Sequence, residues 1–220
     1  MKLFQADAYR TEFEGRVVSC TPFGDAWAVV LNQTCFYPAS GGQPSDGGTL
    51  GGAPVVDVRA EEDGTIVHVV GAPLTGTVAG RVDWNRRLDH MEQHTGQHLL
   101  SAAFVHLFQA ETVSWHLGVE ASTVDIAMDS LSAEQVEELE LTCNRLIRSG
   151  LPVHVHLCQP DEALKLPLRK PPSVSGPIRV VEIEGYDWSP CGGTHLKSIW
   201  ELGLLKIKAW ERYKRTMRVT

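Results

Sequence analysis

Two short segments of this chain place metal-binding side chains four residues apart. His94-Thr95-Gly96-Gln97-His98 sets two imidazoles at i and i+4, which on a helix lie about one turn apart on the same face and can grip one ion. Cys191-Gly192-Gly193-Thr194-His195 adds a thiolate and a third imidazole across a Gly-Gly turn that lets them converge. Together His94, His98, Cys191 and His195 are four nitrogen and sulfur donors suited to zinc. The helical pair alone is a modest signal, since such pairs are often a solvated face. The joint set is far more specific, its bland alternative being a buried cysteine beside a turn.

The zinc-peptidase pattern requires a glutamate directly after the first histidine as general base, and here Thr95 stands there. Glu92 precedes His94 and faces elsewhere on the helix, so the peptidase reading lacks a catalytic part. Gly96 costs about 1 kcal/mol relative to alanine in a helix interior, a cost that close approach of a ligand or plain tolerance would explain.

The elements around these segments change character along the chain. Residues 1 to about 85 read as short strands: Arg16–Cys20, Trp27–Leu31 and Thr65–Val70 are apolar stretches separated by Gly, Pro, Asn and Asp turn signals, a spacing that suits a small β-barrel. Between them, Tyr37 to Gly48 holds two prolines and four glycines in twelve residues and must be a loop. Helical periodicity begins near residue 88 and predicts a helix to 108, with Met91, Leu99, Ala102, Ala103 and Leu107 inward. A second helix starts at the capping box Ser132-Ala133-Glu134-Gln135, buries Val136, Leu139, Cys143, Leu146 and Ile147, and ends at Gly150 and Pro152. Thr123–Met128, Ile178–Ile183 and Leu204–Lys208 alternate like half-buried strands, and Pro167 to Pro177 reads as a loop. The expected organisation is α+β, with a barrel over 1–86 and a zinc-binding α+β domain over 87–220.

Composition narrows the function. The 220 residues are ordinary for a globular protein, and no run approaches the length of a membrane span. No signal-peptide core opens the chain, so a cytoplasmic location is expected. Five cysteines at irregular spacing do not suggest disulfides; Cys20, Cys35, Cys143 and Cys158 read as small packing groups. A net charge of −7 argues against indiscriminate phosphate binding, so a nucleic-acid partner needs a local basic patch. One stands near the carboxyl end: Lys206, Lys208, Arg212, Lys214, Arg215 and Arg218, to which Arg86, Arg87, Lys165, Arg169 and Lys170 could add. A solvated terminal strand is the competing reading. Trp188, Trp200 and Trp210 could stack on a base, although core packing is the commoner use. His154 and His156 alternate on a strand without convergent partners and read as face residues.

The His94–His98 and Cys191–His195 segments, with the Gly41-Gly42-Gln43-Pro44-Ser45-Asp46 loop, resemble the free-standing alanyl-tRNA editing proteins, the AlaX family. These are similar to the editing domain of alanyl-tRNA synthetase and, more distantly, to that of threonyl-tRNA synthetase. The resemblance covers nearly the whole chain, with three separated motifs in the family's order. It implies trans-editing by a zinc-dependent deacylase: hydrolysis of the ester in seryl-tRNA(Ala), with glycyl-tRNA(Ala) as a second candidate. Its metal positions match His94, His98, Cys191 and His195. The family's loop carries three glycines before the glutamine, whereas Ser40 occupies the first position here.

By this resemblance the glycine loop and the segment after the zinc helix line the aminoacyl pocket, nominating Gly41, Gly42, Gln43, Gln97, Thr112 and Ser114 as substrate contacts. Serine exceeds alanine by one hydroxyl, which an apolar pocket separates poorly and a hydrogen-bonding pocket separates well. The implied partner is alanine tRNA carrying a wrong amino acid, held by Lys206, Lys208, Lys214, Arg215 and Arg218; no membrane and no obligate protein partner is evident. Competing readings are a tRNA-binding module with a purely structural zinc, and a zinc hydrolase of small esters or peptides.

Overall fold

The computed structural model describes residues 1–118, 120–172 and 176–220. The chain divides into two compact units, Met1–Met91 and Glu92–Thr220, and the expected α+β class with an N-terminal barrel is present. Among the described residues no helix is long and apolar enough to cross a membrane.

The first unit opens with one helical turn, α1 (Leu3–Ala6), followed by β1 (Glu12–Phe23), β2 (Ala26–Leu31), β3 (Gly48–Leu50), β4 (Ala53–Ala60), β5 (Ile66–Val70) and β6 (Thr77–Val82). These six strands close in the order β1-β2-β5-β4-β3-β6, all neighbours antiparallel. Closure demands strong local curvature, and bulges in β1 between Val17 and Ser19 and in β4 between Val55 and Asp57 supply part of it. Phe13, Val29, Leu31, Phe36, Leu50, Val58 and Val70 fill the interior. Gly80 faces Phe13 across the β1–β6 ladder. A Cβ there would stand 2.3 Å from the Phe13 ring, so the aromatic ring fits only because that side chain is missing.

His68 is buried in this barrel. Its Nδ1 lies 3.0 Å from the Val29 carbonyl oxygen and its Nε2 2.8 Å from Thr34 Oγ1. The carbonyl can only accept, so the proton sits on Nδ1 and the threonine hydroxyl donates to Nε2.

Helix α2 (Trp84–Phe108) begins in the first unit and continues into the second. It starts earlier than the apolar periodicity predicts because its first turn is polar and capped: Asp83 Oδ1 accepts from the Asn85 and Arg86 amides. The units divide inside the helix, at Met91/Glu92, because its opening turns are tied to the barrel unit by Arg86 and Arg87.

The second unit adds β7 (Thr112–Leu117), β8 (Ser122–Ile126), α3 (Ala133–Ser149), β9 (Val153–Cys158), the single turn α4 (Pro160–Ala163), β10 (Ile178–Ile183), β11 (Asp187–Pro190), a 3-10 turn (Ile199–Leu202), β12 (Trp210–Tyr213) and β13 (Thr216–Val219). They form a three-stranded sheet, β11-β10-β9, and a four-stranded one, β12-β13-β8-β7. One core joins Leu99, Ala103 and Phe104 of α2 to Val136, Leu139, Cys143 and Ile147 of α3 and to Ile126, Val181, Ile183 and Met217 of the sheets. The α3 boundaries follow the sequence reading: Ser132 and Gln135 form a reciprocal capping box, and Gly150 closes the helix at φ 69°.

The expected strand Leu204–Lys208 is not one. Its alternation is real, but Leu205 N–H donates to Asn144 Oδ1 at 2.9 Å and Ile207 N–H to Glu140 Oε1 at 2.7 Å. Side chains of α3 thus meet the donors that a ladder would have used. Of the Pro167–Pro177 loop, residues 167–172 carry no helix or strand, and residues 173–175 lie outside the described residues.

Burial drives the His68 imidazole from 6.5 down to about 4, against the Val29 hydrogen bond that favours the proton. The unfolded chain therefore binds a proton between those values that the folded barrel refuses, and stability falls as pH drops from 6.5 toward 4, by up to roughly 3 kcal/mol. Denaturant titrations at pH 7 and pH 4.5 should show this loss, and His68→Gln should remove it from the difference between the two pH values.

Candidate metal centre

His94 and His98 project from one face of α2, while Cys191 follows β11 directly and His195 lies four residues beyond it. Their ligand atoms all lie within 4.8 Å of one another. Cys191 Sγ stands 3.4 Å from His94 Nε2 and 3.3 Å from His195 Nε2. A sulfur and an imidazole nitrogen sharing a tetrahedral zinc, at bonds of about 2.3 and 2.1 Å, would be about 3.5 Å apart. The donor set therefore fits zinc in both chemistry and spacing. His94, His98 and His195 are buried and Cys191 is half-buried.

The charge states favour metal. Burial opposes ionisation of the Cys191 thiol, but His94 and His195 beside it outweigh burial and hold it well below its usual range. Gly193 N–H also points at the sulfur, at 3.4 Å. Cys143 shows the contrast: with no such neighbours, burial pushes its thiol up to about 12. Burial, with crowding among the imidazoles, lowers the basicity of His195 and His94. His98 goes the other way, raised by Asp187 and Cys191 in spite of its burial.

Neighbouring groups fix two of the rings. His195 Nδ1 lies 3.2 Å from Thr95 Oγ1, which also accepts from the Leu196 amide at 3.1 Å. Thr95, in the place where a peptidase carries glutamate, orients a ligand instead. His98 Nδ1 faces Asp187 Oδ2 at 3.5 Å. Trp115 lies against His94, ring centroids 4.5 Å apart.

The glycine-rich segment forms a tight turn in the first unit. The amides and carbonyls of Ser40 and Gln43 bond each other reciprocally at 3.0 Å, with Gly41 and Gly42 between them at φ 57° and 93°. Those two positions demand positive φ, whereas Ser40 does not have it, so serine enters the turn without strain. Gly41 and Gly42 are exposed and Gln43 is buried. Asp46 holds the base of the loop: its carboxylate accepts from Tyr37 N–H at 2.5 Å and pairs with Arg87, both side chains fully buried. Arg87 also donates to the carbonyls of Ala8 and Cys35, each at 2.6 Å. Arg87 is thus no part of a basic patch, because it is spent inside the first unit.

The remaining nominated polar residues have internal partners. Gln97 Nε2 and Thr112 Oγ1 both donate to Ser101 Oγ, at 2.7 and 2.6 Å, and Lys170 Nζ bonds the Thr112 carbonyl. Ser114 Oγ donates to Asp125 at 2.6 Å, and Asp125 is gripped by Arg218 at 2.7 and 2.9 Å. The Ser114 hydroxyl is thus spent on Asp125, and Arg218, stacked on Tyr213, is a structural cation. Lys206 pairs with Glu140, Arg212 with Asp129 and Arg169 with Asp187. Lys208, Lys214 and Arg215 are exposed, as are Trp200 and Lys165, while Trp188 stacks on His156 and Trp210 Nε1 donates to the Leu131 carbonyl. His154 and His156 face Glu184 and Glu182.

Residues 178–220, which include Cys191 and His195, match the family described as threonyl and alanyl tRNA synthetase second additional domain. Over 96% of its length the chain is 37% identical to alanyl-tRNA editing protein Aarsd1-B of Xenopus laevis. The chain is a relative of the alanyl-tRNA editing proteins. Aarsd1 of Mus musculus is 38% identical over 97% of the chain, and alanine–tRNA ligase of Pyrobaculum aerophilum 38% identical over 96%. The chain spans about half the length of the curated editing proteins it matches, 55% of the first and 56% of the second, and 25% of the ligase. In this editing-protein relative, spacing revealed the four donors but not the groups that orient them. Asp187 and Thr95 meet histidines remote in sequence, and only Thr95, beside His94, left any trace.

Two outcomes follow. Because His98 holds its proton above its ordinary 6.5, protons compete with metal from above that value downward, and zinc affinity should fall as pH drops through it. Chelator competition at pH 8, 7 and 6 checks this, and Cys191→Ala should abolish tight binding at all three. Arg87→Leu leaves the Asp46 carboxylate buried without its cation and should cost about 3–5 kcal/mol, with faster amide exchange at Tyr37 and Asp46.

Proposed function

We propose that this chain is a zinc-dependent aminoacyl-tRNA deacylase that clears alanine tRNA carrying the wrong amino acid, seryl-tRNA(Ala) first and glycyl-tRNA(Ala) as a second candidate. The observation that carries the reading is the buried three-histidine, one-cysteine cluster in a chain related along nearly its whole length to alanyl-tRNA editing proteins. His94, His98, Cys191 and His195 would hold the ion. When bound, zinc would supply a Lewis acid beside the ester.

The protein's own groups carry the rest. Arg179, whose Nη1 donates to the Cys191 carbonyl at 2.8 Å, places a cation beside the cluster. Discrimination needs a polar group that pairs with the serine hydroxyl and would be left unpaired by alanine. Of the nominated contacts, Ser114 suits this task least, since its hydroxyl is committed to Asp125. Lys208, Lys214 and Arg215 are the exposed cations suited to tRNA phosphates, together with Lys206 at its ion pair.

One observation favours the runner-up, a tRNA-binding module with structural zinc: four protein donors fill a tetrahedral shell, as in closed sites. The separating assay presents Ser-tRNA(Ala) and Ala-tRNA(Ala) to the purified chain with and without a chelator. The deacylase should release serine at least ten times faster than alanine and lose that activity with the metal. Binding of both tRNAs without release of either amino acid would leave the structural reading standing and sink the enzymatic one.

A further inference from the structure

The buried carboxylate of Asp187 is 4% exposed, a costly place for an anion unless its partners need it there. Arg169 Nε donates to Oδ1 at 2.8 Å, Ser189 Oγ donates to Oδ2 at 2.9 Å, and Arg169 Nη2 donates in turn to Ser189 Oγ at 2.8 Å. The clamp fixes the carboxylate with Oδ2 turned toward His98 Nδ1, 3.5 Å away. That nitrogen is buried and makes no hydrogen bond among the described residues, so the Asp187 carboxylate is the acceptor it faces. Asp187 and Ser189 occupy the same face of β11, and Cys191 stands just past the end of the strand, so one short stretch presents both a ligand and the group that aims another ligand.

We propose that Asp187, clamped by Arg169 and Ser189, is the positioning residue of the metal centre: it keeps the His98 proton on Nδ1 and leaves Nε2 bare toward the ion. The inference rests on the metal-site reading of the four donors, not on the identity of the substrate. A ligating imidazole needs its second nitrogen held by an acceptor, and loss of that acceptor weakens metal binding roughly 10- to 100-fold. The competing role is a plain staple, in which Asp187 exists only to tie the Arg169 segment to β11.

Asp187→Asn separates the two roles. The amide oxygen stays with the Arg169 donors, which turns the amide N–H toward His98 Nδ1 and drives the ring proton to Nε2, the wrong tautomer for ligation. Zinc affinity, measured by chelator competition, should fall roughly 10- to 100-fold, and in the metal-free protein at pH 8 the ring-nitrogen NMR signals of His98 should pass from the Nδ1–H to the Nε2–H pattern. Wild-type affinity with an unchanged tautomer would reduce Asp187 to a staple. Should the variant not fold, Arg169→Gln carries the test: it keeps the carboxylate but loosens its aim, so a several-fold loss of zinc affinity in a folded protein supports the role, and no loss overturns it. Wild-type protein that binds no zinc removes the premise itself. Zinc binding that responds as described, in a chain that deacylates nothing, leaves this inference intact and removes only the proposed activity.

Discussion

Three imidazoles and a sulfur within 4.8 Å of one another form an arrangement that resists assembly. Each ring that took a proton would repel the next, and each must give up water to enter. The second unit holds them together with two elements that orient one another. Helix α2 supplies His94 and His98 and lends Thr95 to His195; the β11 strand and the turn after it supply Cys191 and His195 and face Asp187 toward His98. Neither element presents a competent ligand set alone. Behind them, one core joins α2 to α3 and both sheets and fixes their separation.

What could be read from the chain depended on distance along it. The donors were legible because both pairs are four residues apart and each sits in a local shape, a helix face or a glycine turn. Asp187 with His98, Asp46 with Arg87 and Ser114 with Asp125 join residues from different elements, and no spacing rule connects them. The same blindness distorted the basic patch. Counting Lys and Arg gave six cations near the carboxyl end, yet Glu140, Asp129 and Asp125 neutralise Lys206, Arg212 and Arg218, and Arg87 was never at the surface. Alternation at Leu204–Lys208 described which side chains are buried, not which groups accept the backbone hydrogen bonds.

The barrel unit was legible for a different reason. Turn residues announce their own geometry, and the segment around Gly41 and Gly42 could be nothing but a loop. The chain did not announce which of the loop's glycines need positive φ, nor that the loop hangs from a buried ion pair with the start of α2. Ser40 stands just outside the positions that demand positive φ.

The spacing of Asp187 and Ser189 on β11 and of Cys191 just past its end limits how this chain can change length. A strand turns each successive side chain to the opposite face, so one residue gained or lost between Asp187 and Cys191 would leave carboxylate and sulfur facing opposite sides of the sheet. The four-residue step from carboxylate to sulfur is counted out by the pleat of the backbone itself.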